Sequence, residues 1–160
     1  MQPMDQKVTR RQMSFILGVA GVAPAHAQIK KPSTTIHQEV DFNTAPARIY
    51  DALLDAKQFS AFTNDAAEIQ PLPGEPFKLF GGRIEGRNVE LVSKQRIVQA
   101  WRPASWPAGV YSIVRFELVA RGSGTRIVFD HAGFTEDKWE TLNDGWPRMY
   151  WEPLRKYLNA

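Results

Sequence analysis

Few side chains in this sequence have the type and spacing that catalysis needs, and His131 is the first of them. It alternates with Ile127 and Phe129 along a strand-like run, and alternate residues of a strand share one face. We therefore expect its imidazole to point inward, where it could hydrogen-bond a bound molecule or transfer a proton as a general acid or base. The alternative is a buried structural histidine satisfied by the backbone or by a tyrosine hydroxyl, which is favoured because the sequence identifies no catalytic partner.

The other groups that could do chemistry have simpler explanations. The chain contains no cysteine, so it has no thiol nucleophile or disulfide, and one inward histidine is too few for a dedicated zinc site. Glu136, Asp137 and Glu140 stand at the predicted start of a helix, where the helix dipole favours negative charge. Gly81-Gly82 lacks the downstream Gly-Lys-Ser/Thr of a phosphate-binding loop and is expected to form a bend or bulge. We predict no metal, no cofactor and no catalytic residue beyond the candidate His131.

Hydrophobic patterns predict the elements that would position these residues. Apolar and polar residues alternate from Ile36 to Phe42, as in a half-buried strand. Asn43-Thr44 offers capping oxygens and Pro46 suits a first helical turn, so two short helices should follow, the second containing Phe59 and Phe62. Beyond a proline-rich loop, short alternating runs predict an antiparallel meander with a hairpin turn at 122–124. The runs are 77–80, 83–85, 88–92, 95–102, 110–120 and 125–132.

The C-terminal segment predicts an aromatic helix that covers the sheet. Its large side chains recur at steps of three or four residues, from Trp139 through Trp146 to Tyr157. Thr135 is the expected cap. Gly145 and Pro147 are expected to divide the segment into a short piece and a main helix, which Pro153 should kink.

With this order of elements, the chain resembles the START-like proteins named after the activator of the Hsp90 ATPase, within the Bet v 1-like or SRPBCC superfamily. The segments that carry the resemblance are Ala45-Pro46-Ala47-Arg48-Ile49-Tyr50-Asp51-Ala52-Leu53, Gly81-Gly82-Arg83-Ile84-Glu85-Gly86, Val98-Gln99-Ala100-Trp101-Arg102, Gly124-Thr125-Arg126 with His131-Ala132-Gly133-Phe134, and 145–158. The resemblance implies an α+β helix-grip fold, in which a curved antiparallel sheet with two short helices after its first strand wraps around a long C-terminal helix. An apolar cavity lies between sheet and helix in such folds.

The resemblance also implies a function. Members of the superfamily bind lipids, steroids, hormones and polyketides, and a minority are cyclases or hydrolases. We expect a binding protein for a hydrophobic small molecule, lipid-like or aromatic, held between sheet and helix; Trp106 should lie on a loop at the cavity mouth. The alternatives are an enzyme with His131 as base and a protein-interaction module. Residues expected to line the cavity are Phe62, Trp101, Ser112, Val114, Phe116, Phe129, His131, Trp146, Met149 and Tyr150.

The first 27 residues read as a cleaved export signal. Arg10-Arg11, a short apolar stretch and Ala25-His26-Ala27 match the three parts of a secretory signal, and the paired arginines are similar to a twin-arginine signal. A disordered tail is the alternative. A polar leader at 28–35 and one START-like domain at 36–160 would follow, in the periplasm or otherwise exported. The predicted mature chain lacks the N-terminal domain of the founding co-chaperone, so we do not expect it to stimulate a chaperone.

Charge and hydropathy limit the partners. Loss of the signal removes three basic residues and one acidic residue, which lowers the net charge of +3 by two charges. No basic run of the kind that tracks phosphates remains, so nucleic acid is not an expected partner. The apolar part of the signal is too short to span a bilayer, so stable membrane insertion is not expected either. A protein partner stays open.

Overall fold

The computed structural model describes residues 33–159. The strands are β1 (Thr35–Phe42), β2 (Glu68–Ile69), β3 (Pro76–Leu79), β4 (Ile84–Val92), β5 (Arg96–Pro103), β6 (Ser112–Arg121) and β7 (Gly124–Ala132). The helices are α1 (Pro46–Leu54), α2 (Ala56–Thr63), a 3-10 turn (Glu136–Lys138), α3 (Trp139–Trp146), a π-helical segment (Pro147–Trp151) and α4 (Glu152–Leu158). The predicted export signal lies outside the described residues.

All seven strands form one antiparallel sheet in the order β1-β7-β6-β5-β4-β3-β2. Consecutive strands from β2 to β7 are neighbours, as in a meander, while within residues 33–159 β1 pairs only with β7. The two short helices follow β1, and the C-terminal helical segments pack on the sheet's inner face. The predicted α+β helix-grip architecture is therefore confirmed.

The inner face of the sheet is apolar and its outer face is charged. Ile127, Phe129 and His131 of β7 are each 0% exposed, which confirms the predicted parity of that strand. On the outer face, ion pairs connect neighbouring strands from β1 to β4, and we call this set the ion-pair ladder. Its pairs are Asp41 with Arg126, Asp130 with Arg115, Glu117 with Arg96, and Arg96 with Glu90.

Two local predictions are wrong, and one short strand was not predicted. The runs 83–85 and 88–92 form one strand, β4, because a register shift between Asn88 and Glu90 interrupts the alternation without ending the pairing. The N-cap of α1 is Ala45, with no side-chain hydrogen bond, rather than the predicted Asn43-Thr44. Strand β2, which the sequence analysis missed, has only two residues and is too short to show a period.

The predicted break at Gly145-Pro147 is also wrong, because the backbone stays right-handed helical through both junctions. Between α3 and α4 the chain makes a wider π turn, closed by the Glu152 N–H donating to Pro147 O. A proline lacks the N–H that would bond to the carbonyl four residues earlier. The wide turn lets the helix pass Pro147 and reach Pro153 without ending.

The side chain of Gln38 in β1 hydrogen-bonds to this stretch of the helix. Its Nε2 donates to Asn143 O at 3.0 Å, the carbonyl that Pro147 cannot reach. Its Oε1 accepts from Trp151 Nε1 at 2.6 Å. One amide side chain therefore ties the first strand to α3 and to the last residue of the π segment, and we call it the Gln38 clamp.

Candidate functional site

The interior between the sheet and the C-terminal helix is filled by aromatic side chains. Trp146 lies with its ring centroid 4.3 Å from that of Phe129 and 4.5 Å from that of Tyr150, and Phe116 lies 5.1 Å from Phe129. A void of about 10 Å³ beside Phe59 and Tyr150 remains there. That is scarcely room for one water molecule, so this void is too small for a ligand.

A groove of about 500 Å³ lies at one edge of this core, and a more open recess of about 590 Å³ lies beside Tyr157. The groove runs between the turn after β3, the end of β5 with its following loop, and α3 with the start of the π segment; we call it the helix–sheet groove. Small-molecule sites typically have ~300–1,000 Å³, so the groove is large enough for one. Its lining is Phe80, Arg83, Ile84, Trp101, Pro103, Ala104, Ser105, Thr141, Leu142, Gly145, Trp146, Arg148 and Met149.

The structure brings together three of the ten predicted cavity residues, Trp101, Trp146 and Met149, in the helix–sheet groove. The others lie elsewhere. Phe116 and Tyr150 border the small void, and Phe62 lies in a separate recess beside Tyr157. Ser112, Val114, Phe129 and His131 are buried in the packed interior, with at most 1% of each exposed.

Sequence reasoning missed several groove residues. Phe80 and Arg83 come from the turn after β3, where Phe80 has a positive φ of 54°. Hydrophobic periodicity does not predict such a turn. Thr141, Gly145 and Arg148 follow each other at steps of four and three residues along the helix. That spacing marks one helical face and was a usable signal for the groove wall. Trp106 lines a different recess, beside Phe134.

His131 forms a closed hydrogen-bond network. Trp146 Nε1 donates to His131 Nδ1 at 3.1 Å, and an indole N–H can only donate. Nδ1 is therefore unprotonated, and the proton of the neutral ring sits on Nε2, 2.7 Å from Ser112 Oγ. Ser112 in turn donates to Trp101 O at 2.9 Å.

This direction of donation is opposite to that of a serine activated by histidine, in which the imidazole must accept the hydroxyl proton. Burial also lowers the pKa of His131 from 6.5 to about 3, so the ring is neutral at ordinary pH. Both ring nitrogens and the Ser112 hydroxyl have partners within the protein. The network thus fits a structural role, with Ser112 as the partner that sequence reasoning had not paired with His131.

Trp101 and Tyr150 form a second buried polar contact behind the groove. Trp101 Nε1 has no hydrogen-bond partner within normal length in the described part of the chain. Burial raises the pKa of Tyr150 above its usual range, and the Trp101 N–H opposes that rise only in part. Trp101 Nε1 is thus a buried donor beside Tyr150 that lacks a hydrogen bond of normal geometry.

Residues 33–159 contain no cluster of three His, Asp or Glu side chains that could hold a metal ion. Over the same residues, no helix is long and apolar enough to cross a bilayer.

Residues 43–159 match the family described as "Activator of Hsp90 ATPase homolog 1-like protein". The chain belongs to this family. Among curated proteins it is similar to the activator of 90 kDa heat shock protein ATPase homolog 1 from Homo sapiens, with 26% identity over 80% of this chain and 38% of that protein. The Dictyostelium discoideum homolog is 32% identical over 74% of this chain and 32% of its own length. The chain thus spans only about a third to two fifths of these relatives.

Solved structures show the same fold. An HSP90 activator from Plasmodium falciparum superposes with a TM-score of 0.74 at 20% identity, covering 79% of this chain and 97% of that one. An Aha1 dimer from Colwellia psychrerythraea gives 0.67 at 16% identity, covering 77% and 94%. A putative protein in the dynemicin biosynthetic locus gives 0.69 at 16% identity, covering 81% and 48%.

Proposed function

We propose that this member of the family is an exported protein that binds a hydrophobic small molecule in the helix–sheet groove. The observation that carries the proposal is the groove itself, which leaves about 500 Å³ open beside Trp101, Trp146 and Met149. Removing apolar surface from water contributes about 25 cal/mol per Å², and Ile84, Pro103, Ala104 and Met149 are apolar residues of the lining that stay partly exposed. A lipid-like or aromatic molecule suits such a wall.

Gly145 offers a direct test of the location. A Cβ added there meets no atom within 4 Å, and the residue lies on the groove wall. Gly145→Phe should therefore fill the groove from the helix side without disturbing the core. Gly145→Ala is the matched control, because it changes the helix backbone in the same way and adds only a methyl group.

The probe is pyrenebutanol, a neutral apolar fluorophore, titrated into the purified protein while pyrene emission and tryptophan quenching are followed. We expect saturable binding to the parent chain and to Gly145→Ala, with at least about a tenfold loss in Gly145→Phe, since a filled pocket excludes most of the ligand's apolar contact. Equal binding by all three proteins, or no binding to the parent chain, would refute the proposal. Export is tested separately, by cell fractionation and N-terminal sequencing of the full chain, and an uncleaved cytoplasmic product would refute that part.

A protein-interaction role is the second candidate, favoured by an exposed apolar patch at the start of β6. Val110, Tyr111 and Ile113 are each about 45% exposed, and Arg102 lies against the Tyr111 ring at 5.7 Å. Two of the relatives are named as activators of an Hsp90 ATPase. If this patch binds a chaperone of that class, Ile113→Lys should abolish any stimulation of chaperone ATPase turnover, whereas Val119→Lys, elsewhere on β6, should leave it intact.

The enzyme alternative has less support, because His131 and Ser112 are committed to the network described above and neither lines the groove.

A further inference from the structure

The helix–sheet groove carries positive charge at its rim and no carboxylate in its lining. Two arginines, Arg83 and Arg148, are the charged residues that line it. The chemistry of the groove's occupant therefore depends on whether these two charges are already compensated.

Arg83 is compensated within the protein. Its Nη2 forms an ion pair with Asp65 Oδ2, and its Nε donates to Phe80 O at 3.0 Å. Its guanidinium carbon also lies 5.8 Å from the centre of the Phe80 ring. This side chain is held in place and contributes little net charge to the groove.

Arg148 is not compensated by any residue of the described chain. It is exposed, and within residues 33–159 it makes no ion pair or hydrogen bond. Asp144 and Glu152 stand one helical turn away on either side, and Glu152 lines the neighbouring recess, which Arg148 also borders. Neither carboxylate pairs with Arg148 and neither lines the groove. A single unneutralised guanidinium therefore stands at the edge of an apolar surface.

We propose that the groove selects an amphipathic molecule with one anionic group, such as a carboxylate, and that Arg148 is the residue that recognises it. This inference rests on the function proposed above and narrows the ligand class. The apolar body lies along Trp101, Trp146 and Met149, and the carboxylate accepts two hydrogen bonds from the planar guanidinium. Because Arg83 is already paired and Arg148 is not, the groove suits a ligand with one negative charge rather than two.

A matched pair of probes tests this inference. Pyrenebutyrate and pyrenebutanol share the same apolar body and differ in a carboxylate against a hydroxyl. We expect the parent chain to bind the acid about tenfold more tightly at low salt, as one charge-assisted contact allows. Arg148→Gln should remove this preference and leave the affinity for the alcohol unchanged. Lys156→Gln is the control, because it removes one positive charge from the same helix at a residue that lines the neighbouring recess instead.

The outcomes separate the two proposals. Equal affinity of the parent chain for both probes, or a preference that survives in Arg148→Gln, overturns the role of Arg148 and leaves hydrophobic binding in the groove standing. A preference lost equally in Lys156→Gln also overturns it, because the effect is then general charge. Failure of both probes to bind, or binding that Gly145→Phe does not block, overturns the groove as a binding site and this inference with it. A preference that weakens as salt is added supports the contact, since exposed charges are screened.

Discussion

Protonation of His131 should govern how stability falls on mild acidification. The folded protein buries a neutral imidazole, with a pKa lowered by burial from 6.5 to about 3. The unfolded chain exposes the same ring to water, where it takes up a proton near pH 6.5. Protons thus bind preferentially to the unfolded state, and the free energy of unfolding must drop as the pH falls below about 6.5 and keep dropping towards pH 3.

The magnitude follows from the gap between these values. Each pH unit between them changes the free energy of unfolding by about 1.4 kcal/mol. Between pH 7 and pH 5 the loss should therefore be about 2 kcal/mol. The outer-face carboxylates Asp41 and Glu90 have pKa values lowered by Arg126 and Arg96. The stability that such a carboxylate adds is lost only as the pH falls through its unfolded value of about 4, below this window.

The assay is urea unfolding followed by tryptophan fluorescence at pH 7, 6 and 5, at constant ionic strength. His131→Gln removes the titrating ring and should flatten the pH dependence, while being less stable at pH 7 because Trp146 and Ser112 lose part of their network. His37→Gln is the matched comparison: it removes the exposed imidazole that pairs with Asp130 on the outer face and leaves the His131 network intact.

Parallel pH curves for the parent chain and His131→Gln would refute the assignment of a neutral, buried imidazole. Nitrogen NMR of the parent chain gives a check that needs no substitution. We expect one histidine with Nε2 protonated and Nδ1 unprotonated, unchanged down to pH 5. The opposite tautomer would contradict the direction of donation from Trp146.

Two further predictions concern the stability of the fold. Replacing Gln38 by Ala leaves Trp151 Nε1 without its acceptor and Asn143 O without its donor. In urea titrations this should lower the free energy of unfolding by about 2–3 kcal/mol. A loss no larger than that of Glu39→Ala, a substitution at an exposed neighbour, would contradict the Gln38 clamp. Gly86→Ala would place a Cβ 2.0 Å from Ala100 O and should lower the free energy of unfolding by about 3 kcal/mol or more. Gly145→Ala adds its methyl group in open space and should raise the free energy of unfolding by about 0.5–1 kcal/mol. Similar effects of the two glycine substitutions would show that the close strand contact does not limit stability.

Local periodicity predicted which face of β1, β6 and β7 is buried. The parity of Ile127, Phe129 and His131 was correct because side chains alternate strictly along a strand. The hairpin at 122–124 was predictable for a similar reason, since Gly122 takes the positive φ, 58°, that the turn requires. These features depend on neighbours in sequence, so the sequence shows them directly.

Features that depend on distant residues were not predictable in this way. The helix was expected to break at Pro147, but the carbonyl that Pro147 frees is satisfied by Gln38, 105 residues away from Asn143 in sequence. The open space was expected between sheet and helix, but how far aromatic rings from several elements fill an interior depends on their combined volumes and rotamers. The family resemblance supplied the fold, while the position of the groove had to come from three-dimensional packing.

The place of β1 in the sheet has a consequence for synthesis on the ribosome. Strands β3 to β7 can each pair with the strand translated just before, so the meander can grow as the chain emerges. β1 is translated first, yet its partner strand β7 comes almost at the end of the domain. β1 therefore stays unpaired until β7 has been synthesised, and its pairing must then close a long loop. Docking of β1, followed by the bonds from Gln38 to the helix, is therefore the step that completes the native fold.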